Sequence, residues 1–260
     1  MANKMIEFLI ESGAEITGSS VGAIIGGTVA GPVGVAAGVV GGKAVEVAFS
    51  KLGSEIQERV LSKRESKKIG ATATYALEKI KDNIEKGKQI RDDDFFTEDF
   101  TGRSKADEVV EGIMFSAQKE HEERKLKYYG NLVGNIAFDN TISREQANQL
   151  ISIAENLSYR QIKLLSLFII NQLMPESKFV RKSDYTKEER IDIEVISILQ
   201  DIIELYNIGL VNGNGSVILE LGYINPSQIR VQGMGVILYN LMELSKIPPK
   251  EIDKLIYKLK

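Results

Sequence analysis

Three glutamates near the start of the chain have the spacing of one helix face. Glu7, Glu11 and Glu15 are four residues apart, beside apolar residues between Met5 and Ile10. Side chains with this spacing meet on one side of an α-helix. If several copies assemble around an axis, these carboxylates form acidic rings that attract cations at a pore mouth. The alternative is the solvated face of a helix that lies at a membrane surface.

A second group combines cations with tyrosines between Arg124 and Tyr129. Arg124, Lys127 and Tyr128 are the candidate ligand-binding residues, because cations neutralise phosphates and a tyrosine ring stacks on a base. A nucleotide or a single-stranded oligonucleotide is the ligand that this chemistry fits. The alternative is an ordinary helix whose cations are solvated and whose tyrosines lie in the core.

Residues for catalysis or metal binding are scarce. The chain has no cysteine and one histidine, which excludes thiol nucleophiles, zinc–thiolate sites and pairs of imidazoles. That histidine, His121, begins a His-Glu-Glu-Arg run without the second histidine of a zinc-protease helix. No glycine-flanked serine elbow is present either. We therefore predict that the protein is not an enzyme and has no catalytic residues, metal site or cofactor.

An acidic and aromatic segment runs from Asp92 to Phe100. It holds five carboxylates and three phenylalanines in nine residues, without the ligand spacing of a calcium loop. A cation site and a docking segment are two interpretations of it. The third is a loop between helices whose phenylalanines are buried.

The most unusual segment lies between Glu15 and Lys43. Its 27 residues carry no charge, and they include nine of the 23 glycines of the chain. Small residues recur at every fourth position, which on a helix forms one ridge without large side chains. The ridge comprises Gly18, Gly22, Gly26, Ala30, Gly34, Gly38 and Gly42.

This composition favours a membrane helix. Each glycine costs a helix in water roughly 1 kcal/mol relative to alanine, whereas hydrocarbon enforces the helix because unpaired backbone groups are costly there. Twenty-seven residues span about 40 Å, enough to cross a bilayer with tilt. Pro32 either kinks this span or turns a re-entrant hairpin. A cleaved signal peptide and a hairpin buried in a soluble protein are the alternatives, and the phosphate-loop pattern is absent.

The charges that flank this stretch predict its orientation. One lysine precedes it, whereas five basic residues lie between Lys43 and Arg64. The positive-inside rule then leaves the N-terminus outside and the rest of the chain in the cytoplasm. The lipid bilayer and further copies of the same chain are the partners that this segment predicts.

The remainder of the chain has the pattern of a helical protein. Apolar residues at helical spacing predict a stalk helix within residues 54–88 and a long helix that begins at Ser104. Capping boxes at Ser143 and Ser158 begin two more helices, and an apolar helix is predicted over residues 187–206. We expect three regions: a membrane segment (1–50), a stalk and coupling region (51–138) and a regulatory module (139–260).

The last region is predicted to be a winged-helix-like module. Residues 209–211 and 216–221 read as the strands of a β-hairpin around the turn at residues 212–215. A short helix around residues 235–244 and a terminal helix after Pro248 follow. Residues 139–260 hold 14 basic and 15 acidic side chains, so we expect no binding of duplex DNA.

Two segments resemble a known bacterial pattern. They are ERKLKYYGNLVGN, at residues 123–135, and NQLISIAENLSYRQIKLL, at residues 148–165. The chain resembles abortive-infection proteins of the Abi-alpha type and, through its glycine-rich span, membrane effectors of anti-phage systems such as Hailong. This resemblance implies a toxic effector that permeabilises the bacterial inner membrane after infection. The Hailong-like case further implies restraint by an oligonucleotide from a partner nucleotidyltransferase.

Together, these patterns predict a mainly α-helical membrane protein. The leading hypothesis is a cation-conducting pore formed by the oligomerised glycine-rich helix and restrained by the cytoplasmic domain. The alternatives are a membrane-tethered scaffold that conducts nothing and a soluble winged-helix regulator.

Overall fold

The computed structural model describes residues 61–174 and 179–260. The chain forms two compact units that divide between Asn156 and Leu157. Within the described ranges there are eight α-helices and one small antiparallel sheet. None of these helices is long and apolar enough to cross a membrane. The predicted membrane span, with its ridge and its three glutamates, lies outside the described residues.

The first helix of the described residues is α1, Lys63–Glu85, which confirms a helix within residues 54–88. Ser62 caps it in a reciprocal box with Glu65, which satisfies two backbone donors that the helix leaves free. Ile69, Ala73 and Leu77 lie on its buried face, as the helical spacing predicts.

The long helix expected after Ser104 is two helices. Helix α2 spans Lys105–Lys119 and helix α3 spans Leu126–Ile136. Between them the chain leaves the helical path at Glu120 and forms a single 3-10 turn at Glu123–Lys125. The prediction of one continuous helix was wrong. It followed from the apolar spacing, which continues across the break and therefore does not reveal it.

Helix α4, Arg144–Asn156, completes the first unit. The predicted capping box is present, since the Ser143 amide donates to Gln146 Oε1 and the Gln146 amide donates to Ser143 Oγ. Helix α4 packs on α2, and α1 packs on both α2 and α3. The boundary predicted between residues 138 and 139 therefore lies within this unit.

The second unit contains the other four helices. Helix α5, Tyr159–Leu173, begins at the predicted cap Ser158, and its buried face includes Ile162, Leu165 and Phe168. The others are α6 (Ile193–Asn207), α7 (Met234–Leu241) and α8 (Pro249–Lys258). The apolar helix predicted over residues 187–206 is α6, but it begins later, at Ile193, which is 83% exposed, and only one of its sides is buried.

The predicted hairpin is wrong in its second strand. Strand β1, Val211–Asn212, pairs antiparallel with β2, Arg230–Val231, and residues 216–221 form no strand. The turn itself forms, but the chain after it makes only an isolated bridge between Gly213 and Ser216. The observed register buries Val211 and Val231, whereas Val217 and Leu219 stay exposed. Long-range burial therefore selects the partner of β1.

Candidate functional site

The three predicted ligand-binding residues do not share one surface. Arg124 and Lys127 are exposed, whereas Tyr128 is only 4% exposed. Stacking of a base requires an accessible aromatic face. Binding through Tyr128 therefore requires a conformation other than the described one, and the two cations are the part of the predicted site that a ligand reaches directly.

The same segment contains a buried ionic cluster of Glu120, Lys125 and Tyr129. Lys125 Nζ lies 2.6 Å from Glu120 Oε2, and the Tyr129 hydroxyl donates to that oxygen at 2.5 Å. The side chains of Glu120 and Lys125 are 4% and 3% exposed. Glu120 Oε1 accepts from the Glu122 amide at 2.8 Å. A buried charge is tolerated only with such partners, and here both carboxylate oxygens are engaged.

This cluster joins three helices of the first unit. Lys125 Nζ donates to the backbone oxygen of Glu155 in α4, and Lys68 Nζ of α1 donates to the backbone oxygen of Glu120. The first turn of α1 has two further contacts with this region, Arg64 to Glu123 and Gln118 to Glu65. The cluster therefore fixes the first turns of α1. The glycine-rich segment precedes α1 in the sequence.

The charge state of the cluster follows from these contacts. Burial opposes ionisation of Glu120, but hydrogen bonds from Lys125, Tyr129 and the Glu122 amide outweigh it and hold the pKa of Glu120 below its usual value. Burial, together with the hydrogen bond to this carboxylate, raises the pKa of Tyr129. The described state is thus an ionised Glu120 between an ammonium and a neutral phenol.

His121 lies on the solvent side of the cluster of Glu120, Lys125 and Tyr129. Its Nδ1 lies 3.6 Å from Glu120 Oε1, and Glu122 approaches the same pair. Glu120 is already bound to Lys125 and Tyr129, and His121 is exposed. In residues 61–174 and 179–260, this is the one set of three ligand-type side chains close enough to hold an ion, and we assign no metal to it.

Two glycines let α3 approach α1 closely. A Cβ atom added at Gly130 would lie 2.4 Å from the Cβ of Tyr75 and 2.8 Å from backbone atoms of Thr72 and Ala76. One at Gly134 would lie 2.8 Å from the Cβ of Lys79. Glycines four residues apart on one helix face permit such contact between helix backbones. We call this packing of α1 against Gly130 and Gly134 the glycine clamp.

Polar contacts extend the glycine clamp to the end of α1. Asn83 Nδ2 donates to Asn135 Oδ1 at 2.8 Å in the interior. The stem of Lys79 passes Gly134, and its ammonium lies 2.6 Å from Asp82 Oδ2, which also accepts from Lys86. Hydrogen bonds from Lys79 and Lys86 lower the pKa of Asp82 to about 2. Both ends of α1 are thus fixed to the α2–α3 region.

The low pKa of Asp82 predicts how the protein responds to acid. A carboxyl whose pKa is lower in the folded state stabilises the fold above its unfolded pKa of 3.8, and this contribution disappears as pH falls towards about 2. We expect Asp82→Asn to lose less thermal stability than the wild type between about pH 4 and pH 2. Thermal unfolding across this range measures it, with the exposed Asp253→Asn as the matched control. Equal pH profiles for all three proteins contradict the prediction.

The acidic and aromatic segment is an ordered loop in which one phenylalanine is fully exposed to solvent. Arg91 is buried, donates to Asp93 and to the backbone oxygen of Ile142, and lies 4.1 Å from the Phe95 ring centroid. Phe95 is buried, but Phe100 is 100% exposed. The interpretation as a loop with buried phenylalanines is therefore correct for Phe95 and wrong for Phe100.

A cleft of about 460 Å³ lies beside this loop. Its charged lining includes five carboxylates, Asp94, Glu98, Asp99, Glu108 and Glu111, and three cations, Arg103, Lys105 and Arg144. Each of the three cations pairs with one of these carboxylates. The excess of carboxylates gives the cleft a negative character, which favours cationic groups over phosphates.

Sequence reasoning missed the residues that organise this region. Glu120 was not among the candidate residues, and Gly130 and Gly134 were noted only within the segment at residues 123–135 that resembles abortive-infection proteins. The four-residue glycine spacing on a predicted helix was a usable signal of close helix packing. The Glu120–Lys125 pair carries no such local signal, because the two residues meet across a break in the helix.

Comparisons with known proteins add no assignment. No protein-family model, curated protein or solved structure matches the chain.

Proposed function

We propose that this protein is a membrane-inserting effector of bacterial antiviral defence that forms a cation-conducting pore in the inner membrane. One observation carries the proposal: an uncharged stretch of 27 residues with small residues at every fourth position, ahead of a charged helical body. The antiviral role comes from the resemblance of residues 123–135 and 148–165 to abortive-infection proteins. In this proposal the N-terminus lies outside and the body lies in the cytoplasm.

The ridge supports assembly through helix–helix contact. In a bilayer, helices gain little from burying apolar surface, so close packing across small residues drives their association. The ridge from Gly18 to Gly42 offers such a surface along the whole span. Glu7, Glu11 and Glu15 precede it and supply acidic rings that favour cations.

The described body supports the regulatory part of the proposal. Helix α1 begins at Lys63, 21 positions after Gly42 in the sequence, and both of its ends are fixed to the α2–α3 region. Any ligand that shifts α3 or the buried Glu120–Lys125 pair must also shift α1, because the glycine clamp has no free space. The exposed cations Arg124 and Lys127 lie beside that pair in sequence.

In the proposed scheme a nucleotide or oligonucleotide from a partner nucleotidyltransferase restrains the effector. Its phosphates bind Arg124 and Lys127, and the C-terminal unit, a winged-helix-like module in its order of elements, serves regulation. Duplex DNA is not a partner in this scheme, since residues 139–260 carry no excess of positive charge.

Membrane potential in bacterial cells that express the full chain tests the pore. We expect the wild type to depolarise the membrane and Gly22→Leu/Gly26→Leu to leave it polarised, because leucine side chains separate the packed ridges. Gly26→Leu and Gly27→Leu form a matched pair, since neighbouring glycines of the same segment lie on and off the ridge. A potential-sensitive dye gives the readout. Depolarisation that persists in the ridge variants overturns the proposed assembly.

The second candidate is a membrane-tethered scaffold, which the exposed Phe100 of the acidic loop favours. It predicts a protein that fractionates with membranes while the cells remain polarised. The same dye experiment, combined with fractionation, separates the two functions.

A further inference from the structure

The loop around Phe100 is held in one shape. The Asp99 amide donates to the backbone oxygen of Arg103, and the Gly102 amide donates to that of Asp99. Asp99 Oδ1 accepts from the amide and the hydroxyl of Thr101, and Gly102 adopts a φ of +75° that suits glycine. Phe100 is therefore presented by a fixed turn. A pre-ordered aromatic anchor loses little entropy when it binds a partner.

The surroundings of Phe100 specify the charge of that partner. Asp92, Asp94, Glu98 and Asp99 are all exposed on the same segment. The adjoining cleft has more carboxylates than cations. A surface of this kind favours a partner with basic side chains around an apolar or aromatic patch.

Helix α8 of the second unit carries a surface with the complementary character. Ile252 and Leu255 are buried on one side, whereas Lys250, Lys254 and Tyr257 are exposed. The three exposed residues follow the spacing of one helix face, and Tyr257 is 79% exposed. The exposed Asp253 lies on the same face, so the two lysines of this face exceed its carboxylate by one charge. We call Lys250, Lys254 and Tyr257 the basic face of α8.

We propose that the Phe100 loop of one copy of the chain docks on the basic face of α8 of a second copy. Two different surfaces then meet, so each copy offers one donor and one acceptor face. Contacts of this head-to-tail type close into rings when the rotation between copies allows it. The use of this contact in pore assembly rests on the proposed function, but the contact itself is tested without it.

Because the chain contains no cysteine, introduced cysteines report the contact cleanly. Thr97→Cys lies on the loop segment and Asp253→Cys lies on the exposed side of α8, and both leave Phe100 and Tyr257 in place. The two full-length variants are co-expressed, one extended by a tag, and oxidised in whole cells, so the readout does not depend on where the protein is located. We expect a disulfide-linked heterodimer whose yield falls about tenfold with Phe100→Ala, as for an interface anchor worth about 1.4 kcal/mol.

Charge-reversal variants provide a second, independent test of the contact. Asp92→Lys in the loop copy, or Lys250→Glu/Lys254→Glu in the α8 copy, should each reduce the heterodimer, and the combination should restore it. Lys88→Cys, an exposed site outside the loop, replaces Thr97→Cys in the control pair and should cross-link poorly. The proposal is overturned if disulfides form only between two copies of the same variant, or if the charge reversals have no effect. It is also overturned if a chain that carries both cysteines forms disulfides only within itself.

The two proposals fail separately. A charge-dependent heterodimer in cells that stay polarised supports the contact and contradicts the pore. Depolarisation with no heterodimer supports the pore and contradicts the contact.

Discussion

Replacing Lys125 with methionine is expected to lower the free energy of unfolding of the first unit by about 3–5 kcal/mol, because it leaves a buried carboxylate unpaired. Methionine keeps most of the side-chain volume and removes only the ammonium that lies 2.6 Å from Glu120. The hydrogen bonds that Glu120 accepts from the Tyr129 hydroxyl and from the Glu122 amide remain, but neither neutralises the charge. Glu120 is 4% exposed, so water cannot replace the lost partner.

Lys127→Met is the matched control, two residues away and exposed. Surface substitutions of this type change stability by no more than about 0.5 kcal/mol. Urea unfolding of the full chain, followed by pulse proteolysis, measures both variants. The double variant Glu120→Gln/Lys125→Met should recover much of the loss, since it removes both charges and leaves the amide to bond Tyr129. Equal effects of Lys125→Met and Lys127→Met contradict the assigned role of the cluster.

The helices were predictable from the sequence where local chemistry determines them. The spacing of Ile69, Ala73 and Leu77 predicted the face of α1, and serine caps predicted the starts of α2, α4 and α5. A cap needs only residues within one turn of the helix, so its signal is local.

Features that depend on distant residues were not predictable in this way. The break between α2 and α3 interrupts a continuous apolar period, because Glu120 and Lys125 pair across it. The partner of β1 was misassigned for a similar reason: the Val231 amide donates to Gln172, and the Gln232 amide donates to Leu210. Local propensity carries no information on these contacts.

The candidate ligand site shows the same division. The sequence identifies Arg124, Lys127 and Tyr128 as a group that could bind an anion, but helical phase decides which side chains face inward. That phase is determined by where α3 begins, at Leu126. With this start, Lys125, Tyr128 and Tyr129 lie in the interior and the other two cations stay outside. The composition of the segment alone cannot make that distinction.

Gly130→Ala is expected to destabilise the first unit by about 1–3 kcal/mol or more, as overpacking of a close interface does. The new methyl group would lie 2.4 Å from the Tyr75 Cβ and 2.8 Å from the backbone of Thr72 and Ala76. Backbone atoms cannot rotate away, so α1 and α3 must move apart along their length. This movement also weakens the hydrogen bond between Asn83 and Asn135.

Gly112→Ala in α2 separates this packing effect from helix propensity. A Cβ there has one neighbour, Ile151 Cδ1 at 3.8 Å, which is ordinary contact. We expect Gly112→Ala to stabilise the protein by roughly 0.5–1 kcal/mol, because alanine favours a helix interior. The two substitutions are chemically identical and should have opposite signs in the same urea titration. A Gly130→Ala variant as stable as Gly112→Ala shows that α3 does not hold α1 closely, and it removes the physical basis for regulation through the glycine clamp.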